Sequence, residues 1–386
     1  MEKLKKKKKL RIAIEAQRIF RPHKHGMDVV AVELIRELQK LDTYNEYFIL
    51  TKKDEDVCIK ETPNFHIVYL GGASYPIWEQ VLLPLWLIRN KPDVVHCTSN
   101  TAPILSVVPL VLTLHDVIFL EKSYLTSKNG GSSYQRFGNF YRKLVAPIVA
   151  RKAKVVFTVS EYQRRCITQL IGVSEQKVRV VYNGVAPHFF STSTAAMLNE
   201  VTACYDLPGR FIFFLGNTEP RKNLDGVLKA YAKLWQRKGD ELPMLVVKGI
   251  DSSFLSRKMT ELSLTGFEHR VKLIGYVKVE HLPTLYQLAD MLLFPSFSEG
   301  FGIPIVEAMA SRTPVVTSNT TSMPEVAGDA AILIDPSSTE ELANGIEQLL
   351  SNNHLRSVLV DKGYRRAQQF SWQKMAAEVL KGYLTP

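Results

Sequence analysis

Short runs of β-branched and aromatic residues alternate with amphipathic segments along almost the whole chain, and this alternation limits the fold more than any other feature. Strands are predicted at residues 11–15, 47–51, 66–70, 94–96, 109–114 and 155–159, and again at 211–215, 244–247, 271–273, 291–294, 314–317 and 331–334. Helices are predicted between them, at residues 28–39, 137–150, 161–170, 224–237, 280–289, 303–310 and 340–350. Such alternation builds βαβ units and parallel sheets with helices on both faces. The predicted fold class is α/β.

The two series of strands are separated by residues 187–209, which are rich in Ser, Thr and Ala and show weak periodicity. A chain of 386 residues is long enough for two separate cores. We therefore expect two doubly wound domains with a boundary near residues 184–187. Open parallel sheets bind ligands outside the carboxyl ends of their strands, so we expect functional residues there.

The positive charge of the chain is concentrated at its beginning. Lys and Arg number 49 against 38 Asp and Glu, a net charge of +11, and residues 1–11 contribute +6 of it. Two interpretations stay open: a solvated tail without a specific partner, or attraction of the tail to anionic lipid. Nucleic acid is not expected as a partner, because no aromatic or Gly-rich recognition motif accompanies the charge.

The cysteines and the apolar runs indicate the compartment. Cys58, Cys97, Cys166 and Cys204 are scattered without CxxC spacing, which is typical of reduced thiols. The longest apolar run, residues 103–114, is too short to span about 30 Å of hydrocarbon as a helix. We expect a cytoplasmic protein, either soluble or peripherally bound to the inner face of the plasma membrane.

The segment FPSFSEGFGIPIVEAM at residues 294–309 carries the strongest functional signal. Gly300 and Gly302 are predicted to open a helix, whose free N–H groups attract phosphate. Glu299 and Glu307 are eight positions apart, about 12 Å at the helical rise. Paired glycosidase carboxylates lie about 5–9.5 Å apart, so the spacing disfavours hydrolysis and favours a ligand with hydroxyls at both ends and phosphates between. The alternative is two solvated acids beside a helix start.

A second segment, GNTEPRKNL at residues 216–224, follows the apolar strand FIFFL. Arg221 and Lys222 lie at the predicted carboxyl end of that strand, before a helix. Two fixed cations there can grip a diphosphate and neutralise charge on a leaving group. The alternative is a solvated basic turn.

Other motifs are missing. The sequence contains neither G-x-G-x-x-G nor the P-loop pattern, which disfavours dinucleotide, kinase and ATPase functions. No metal site is predicted, because metal-ligand spacing with carboxylates is lacking at His23, His25, His96 and His115. Arg, Lys and the helix dipole would then stabilise a leaving diphosphate.

Taken together, these segments resemble the GT-B glycosyltransferases of the large retaining family four, which includes many bacterial mannosyl- and glucosyltransferases. The most specific part is Glu299 and Glu307 with seven residues between them; EPRKN, TVSE, VYNG and the terminal FSW support it. The resemblance implies two facing Rossmann-like, doubly wound parallel-sheet domains with a C-terminal helix that crosses back to the N-terminal domain. It divides the chain into a basic tail at 1–10, an acceptor domain at 11–185, a nucleotide-sugar domain at 186–369 and the crossover helix at 370–386.

The resemblance also implies roles for individual residues. Glu307 would bind the ribose hydroxyls, Glu299 would face the transferred sugar, and Lys222, with Arg221 as its partner, would grip the diphosphate. His115 would contact the sugar from the N-terminal domain. The remaining donor-binding residues would be Gly26, Gly216, Asn217, Gly275, Tyr276, Gly300, Phe301 and Gly302. Some relatives carry Arg at the position of Asn217, and many carry two glycines where this chain has Gly26 alone.

The expected activity is retaining, metal-independent and cofactor-free transfer of a hexose from a nucleotide sugar. The donor implied is GDP-mannose, or else a UDP-sugar, and the acceptor is a saccharide or a lipid-linked molecule in polysaccharide or glycolipid assembly. Residues 75–86 and 134–154 mix aromatic, aliphatic and basic side chains, and either pack into the core or form a monotopic membrane patch. Two alternatives are a non-catalytic nucleotide-sugar-binding subunit and a GT-B sugar phosphorylase; the latter is disfavoured because no anchor for pyridoxal phosphate is found.

Overall fold

The chain folds into two compact units. The structure, a computed structural model, describes residues 8–72, 74–121 and 133–384, with side chains from 137 onward in the last range. One unit runs to Gly184 and also includes the terminal segment from Trp372. The other is Val185–Ser371. Residues 1–7 of the predicted basic tail lie outside the described residues.

The first unit is built on a parallel sheet of seven strands: β1 (Arg11–Glu15), β2 (Glu46–Thr51), β3 (Phe65–Tyr69), β4 (Val94–Cys97), β5 (Leu110–Thr113), β6 (Val155–Thr158) and β7 (Val178–Val180). Their order across the sheet is β3-β2-β1-β4-β5-β6-β7. Its helices are α1 (Gly26–Leu41), α2 (Tyr75–Ile77), α3 (Leu83–Asn90), α4 (Ser133–Lys152), α5 (Glu161–Cys166) and the terminal α14 (Trp372–Leu384). Two π-helical turns, Trp78–Leu82 and Ile167–Ile171, continue α2 and α5.

The second unit is built on a parallel sheet of six strands: β8 (Phe211–Leu215), β9 (Met244–Lys248), β10 (Val271–Ile274), β11 (Met291–Phe294), β12 (Val315–Ser318) and β13 (Ile332–Ile334). Their order is β10-β9-β8-β11-β12-β13. The helices are α6 (Ala195–Tyr205), α7 (Leu224–Lys238), α8 (Ser252–Glu261), α9 (Leu282–Leu288), α10 (Ile303–Ala310), α11 (Met323–Ala327), α12 (Thr339–Ser351) and α13 (Asn353–Ala367). The direction of the strand order reverses between β8 and β11, the place where doubly wound sheets bind ligands.

Central strands are apolar on both faces because helices cover both sides of each sheet. In β11 all four residues are buried, and in β8 only Leu215 is partly exposed. Tyr231 of α7, fully buried, packs in the same core as β8 and β9. The expected pair of doubly wound parallel-sheet α/β domains is confirmed.

The terminal helix α14 belongs to the first unit, where it packs against α1. The Tyr383 hydroxyl lies 2.6 Å from Nδ1 of the buried His96 of β4. A Cβ at Gly382 would lie 2.3 Å from the Phe157 ring of β6, so only glycine fits this close approach. The expected crossing of the last helix back to the N-terminal unit is confirmed.

Each predicted strand occurs in the structure with ends shifted by at most one residue, but several elements were not predicted. Strand β7 has three residues with an arginine at its centre, which gives no apolar run. Helix α6 buries only Val201, so its periodicity is weak, and it lies inside the segment predicted to be irregular. The helices α2, α3, α8, α11 and α13 were also missed.

Candidate functional site

Two loops at the carboxyl edge of the second sheet carry the residues singled out by the sequence. One loop follows β8 and holds Arg221 and Lys222 in a short 3-10 turn, and the other follows β11 and holds Glu299. Because β8 and β11 are hydrogen-bonded neighbours at the reversal of strand order, the two loops meet at the expected ligand-binding edge.

Glu299 is the centre of an ion-pair cluster. Its Oε1 accepts a hydrogen bond from Lys222 Nζ at 2.6 Å, and its Oε2 accepts one from Arg221 Nη1 at 2.9 Å. Arg221 also donates from Nε to Glu219 at 2.7 Å. Lys222 Nζ lies 5.0 Å from the centre of the Phe294 ring. Each cation therefore has a carboxylate partner, and the cluster is electrically balanced before any ligand binds.

Charge, not burial, decides the protonation state of Glu299. Burial raises the pKa of this carboxyl, but Lys222 and Arg221 outweigh that effect and lower the pKa to about 2. Burial lowers the pKa of the Lys222 ammonium, and Glu299 opposes the change. Removing one member of a buried pair leaves its partner uncompensated, which typically costs about 3–5 kcal/mol.

The backbone of the Glu299 loop is fixed by residues that sequence reasoning did not identify. The Glu299 amide donates to the Thr321 hydroxyl at 3.2 Å, and the Ser322 hydroxyl donates to the Glu299 carbonyl at 2.9 Å. On the other side, the Asn223 side chain donates to the carbonyls of Pro295 (3.0 Å) and Pro336 (2.8 Å). These bonds tie together the loops after β8, β11, β12 and β13. Ser and Thr are too common in loops for a single sequence to reveal this role.

The start of α10 follows directly. Gly302 precedes the helix with φ +99, a conformation that favours glycine, and Phe301 is buried against the Phe370 ring. The predicted start of the helix directly after the segment Gly300–Gly302 is confirmed. The predicted separation of about 12 Å assumed that Glu299 and Glu307 lie along one helix. This assumption was wrong, because Glu299 lies in the loop and the helix begins only at Ile303.

Glu307 lies on α10 in different surroundings. Its partly exposed carboxyl accepts a hydrogen bond from the buried Tyr286 hydroxyl at 3.0 Å. Burial raises the pKa of Glu307 to about 7, with Tyr286 and the charge of Lys248 opposing the shift. A carboxyl that loses its proton near neutrality and accepts a second hydrogen bond is suited to a ligand hydroxyl pair.

Lys248 was missed by sequence reasoning. It ends β9, where the register pairs it with Leu215 of β8 and Ile274 of β10. Its side chain is partly buried, burial lowers its pKa, and Glu307 is the charge that opposes this. Within the described part of the chain, no carboxylate lies within ion-pair distance of its ammonium. A lone Lys at a strand end carries no motif, so only the topology reveals it.

Gly216 and Asn217 shape the loop after β8. A Cβ at Gly216 would lie 2.9 Å from Val247 Cγ1 and 3.0 Å from the Lys248 carbonyl, so the backbones approach too closely for any side chain. Asn217 accepts the Glu219 amide at 3.0 Å through Oδ1, which turns the loop. These contacts account for both residues without a ligand.

Gly275 and Tyr276 follow β10 at the same edge of the sheet. Both are exposed, Tyr276 to 58%, and a Cβ at Gly275 would meet nothing within 4 Å. The structure therefore places the two residues at the edge next to Lys248. Space and an accessible ring are what a flat heterocycle needs for stacking.

Two predicted site residues lie in the first unit. His115 follows β5, is 6% exposed and has Nε2 2.9 Å from the Thr98 carbonyl. Burial lowers its pKa, which favours the neutral imidazole. It lines a small pocket with Thr98, Thr113 and Asn183. Gly26 is the first residue of α1, and a Cβ there would meet nothing within 4 Å.

The described residues include no cluster suited to a metal ion and no helix suited to crossing a membrane. Among them, no group of three or more His, Cys, Asp or Glu side chains is arranged to hold a metal ion. None of the helices in residues 8–72, 74–121 and 133–384 has the length and apolarity needed to cross a membrane.

Comparisons with known proteins agree with the geometry. The family model of the glycosyltransferases of family 4 matches residues 25–189, and that of the glycosyl transferases of group 1 matches residues 206–366. The O-antigen chain mannosyltransferase B of Escherichia coli is 32% identical over 234 residues. The match covers 60% of this chain and 60% of that protein, so the aligned region spans less than two thirds of the relative.

Solved structures reproduce the fold over nearly the full length. Sucrose-phosphate synthase from Thermosynechococcus elongatus superposes with a TM-score of 0.75 at 19% identity, covering 97% of this chain and 98% of that one. HepE from Anabaena, solved in complex with UDP-glucose, superposes with a TM-score of 0.72 at 17% identity, covering 97% and 100%. These structures show the fold, and the two family models, which together match residues 25–189 and 206–366, show that the chain belongs with the family-four glycosyltransferases of GT-B fold.

Proposed function

We propose that this protein transfers a hexose, in the first instance mannose, from a nucleoside diphosphate sugar to a saccharide or lipid-linked acceptor in polysaccharide or glycolipid assembly. The observation that carries the proposal is the Lys222–Glu299–Arg221 cluster at the reversal of strand order in the second sheet. The mannosyltransferase name of the Escherichia coli relative supports mannose, and the UDP-glucose complex of HepE supports a nucleotide-sugar donor.

In this proposal Glu307 accepts hydrogen bonds from the ribose hydroxyls. A hydrogen bond to a carboxylate favours its charged form, so donor binding lowers the pKa of Glu307 from its raised value. Lys248, next along the sheet edge, faces the carbonyl edge of the base, and the exposed Tyr276 ring covers it. Lysine donates readily to O6 and N7 of guanine, which is consistent with GDP-mannose as the donor.

When the donor binds, its diphosphate replaces Glu299 as the ion-pair partner of Lys222. Lys222 neutralises the charge that develops on the leaving nucleoside diphosphate, and N–H groups of Gly300, Phe301 and Gly302 before α10 assist it. Glu299 is freed to accept hydrogen bonds from the hydroxyls of the sugar. The roles of His115 and Gly26 stay predictions from the family resemblance.

The proposed transfer retains the anomeric configuration. The acceptor oxygen forms its bond to the anomeric carbon on the face that the diphosphate leaves, and the leaving phosphate oxygen takes the acceptor proton. No metal ion and no cofactor take part in these steps.

The test is a transfer assay on the full chain with GDP-mannose, UDP-glucose and other nucleotide sugars. Mannoside acceptors are offered, and the product configuration is read by NMR. The proposal expects nucleoside diphosphate release coupled to an α-linked product, with unchanged rates in EDTA. Donor binding without hydrolysis or transfer would assign the chain to a non-catalytic subunit, and turnover dependent on inorganic phosphate and pyridoxal phosphate would assign it to a phosphorylase.

A further inference from the structure

Three segments of the first unit expose an unusual number of large apolar side chains. On the helical segment 75–90 and on α4 they recur every three or four residues, which places each set along one side of its helix. Leu105 (77% exposed) and Val107 add to them from the loop after β4. The set, called the apolar face below, consists of Ile77, Val81, Leu85, Ile88, Leu105, Val107, Phe137, Phe140, Leu144 and Ile148.

A partly buried polar cluster holds these three segments together. Gln80, from the π-helical turn after α2, donates to the Tyr141 hydroxyl of α4 at 2.7 Å and to the Ala102 carbonyl at 3.1 Å. It also accepts the Ile104 amide at 3.0 Å. The fully buried Glu79 accepts hydrogen bonds from the hydroxyls of Tyr141 (2.6 Å) and Thr101 (2.6 Å).

The positions of these contacts bring the apolar residues together. Gln80 is one residue before Val81, Ile104 is one residue before Leu105, and Tyr141 is one residue after Phe140. The polar cluster therefore holds the three segments that carry the apolar sets close to one another. Monomeric proteins rarely expose apolar patches of this kind without an interaction partner.

The charges around the apolar face identify the partner. Residues 137–154 contain Arg142, Lys143, Arg151, Lys152 and Lys154 and no acidic residue. In the described structure none of these five cations lies within 4 Å of a carboxylate. The one acid of residues 75–91, Glu79, is buried, whereas Arg89 and Lys91 are exposed.

An apolar surface with a cationic rim matches an anionic lipid bilayer, where aliphatic and aromatic side chains enter the acyl boundary and Lys and Arg meet the headgroups. A second copy of the chain fits less well, because a symmetric interface would set the same cations against each other. We propose that the apolar face docks the first unit onto an anionic membrane surface. The inference deepens the proposed function, since it names the surface that brings the protein to a lipid-linked acceptor.

The experiment is flotation of the full-length protein with vesicles of phosphatidylcholine alone or with 30 mol% phosphatidylglycerol. The wild type is expected to float with the anionic vesicles and much less with the neutral ones. The variant Leu85→Ser/Phe140→Ser/Leu144→Ser is expected to lose about tenfold or more in partition coefficient, because side chains that would be buried in lipid become polar. The matched control, Val57→Ser/Leu333→Ser, changes exposed apolar residues outside the face and is expected to float like the wild type.

Three results would overturn the proposal. The first is equal flotation of the triple variant and the wild type. The second is loss of flotation on Lys5→Gln/Lys6→Gln/Lys7→Gln with no effect of the triple variant, which would assign binding to the tail alone. The third is a wild type that does not float but is dimeric by light scattering and becomes monomeric in the triple variant. Flotation needs no turnover, so a protein that floats yet transfers no sugar rejects the proposed function and keeps this inference.

Discussion

Each of the two sheets has a buried carboxyl near the reversal of its strand order, yet the two carboxyls behave in opposite ways. Glu15 ends β1 at the reversal of strand order in the first sheet, and Glu299 follows β11 at the reversal in the second. Both are nearly inaccessible, at 1% and 8% exposure. Burial raises the pKa of Glu15 to about 7, whereas the cations beside Glu299 lower its pKa to about 2.

The difference shows that burial alone does not decide the charge of a site. Glu15 accepts hydrogen bonds from the amides of Gln17 and Thr98, but the nearby Glu79 carboxyl works against its ionisation. Glu299 has two cations within 3 Å. Glu299 is therefore ionised at neutral pH beside its two cations, whereas Glu15 keeps its proton until the pH reaches its raised pKa.

The largest expected effect is on catalysis at the edge of the second sheet. Lys222→Ala should lower kcat/KM for sugar transfer by about 10³-fold, because the charge on the leaving diphosphate loses its main donor. Lys229→Ala, an exposed lysine on α7, is the matched control and should behave like the wild type. Steady-state kinetics with the preferred donor make the measurement. Transfer by Lys222→Ala at the wild-type rate would remove the lysine from the mechanism.

The two carboxyls should also make the free energy of unfolding depend on pH in opposite directions. The native state keeps a proton on Glu15 that the unfolded chain loses near pH 4.5, so its contribution to stability falls as the pH rises from about 5 to 7, by about 3 kcal/mol. Urea unfolding of Glu15→Gln should therefore show a flatter decline over that range than the wild type.

Glu299 should affect the stability of the protein below pH 4.5. Its lowered pKa stabilises the native state above pH 4.5, and that stabilisation is lost as the pH falls toward 2, again by about 3 kcal/mol. Glu299→Gln should reduce the acid sensitivity of urea unfolding and leave the slope between pH 5 and 7 unchanged. Parallel curves for Glu15→Gln and Glu299→Gln would contradict the contrast between the two carboxyls.

A smaller effect is expected at Glu307. Glu307→Gln should weaken nucleoside diphosphate binding by about 30-fold, because hydrogen bonds to a charged acceptor are replaced by neutral ones. Titration calorimetry measures it, with Glu325→Gln on α11 as a control. In addition, binding to the wild type at pH 7 should release protons, which two buffers of different ionisation enthalpy detect. Equal affinities and no proton release would show that Glu307 does not face the ribose.

The smallest expected effect concerns the base. Lys248→Met keeps the length of the side chain and removes its charge, so GDP should bind about tenfold more weakly relative to ADP than it does to the wild type. Competition binding with GDP, UDP and ADP measures the ratio. An unchanged ratio would place Lys248 away from the base.

Much of the fold was predictable from the sequence because parallel strands buried on both faces are apolar runs of their own. The runs FIFFL and MLLF gave β8 and β11 residue for residue, and the GFGIP segment gave the start of α10. Arg221, Lys222 and Glu299 could be placed at strand ends for the same reason. The short β7 and the mostly exposed α6 lack such a signal.

The remainder of the site depended on contacts across the sheet. The ion pairs of Glu299 join residues 77 and 78 positions apart. The opposite protonation of Glu15 and Glu299 depends on which side chains surround each carboxyl. Lys248 becomes visible only when the register sets it between β8 and β10. A single sequence shows none of these neighbours.

If the edge of the second sheet holds the nucleoside diphosphate of the donor, a crystal structure of the protein with GDP will show the ligand there. We expect ribose hydroxyls about 3 Å from the Glu307 carboxylate and β-phosphate oxygens at a similar distance from Lys222 Nζ. A diphosphate bound elsewhere on the chain, or a Glu307 carboxylate directed away from the ribose, would contradict it.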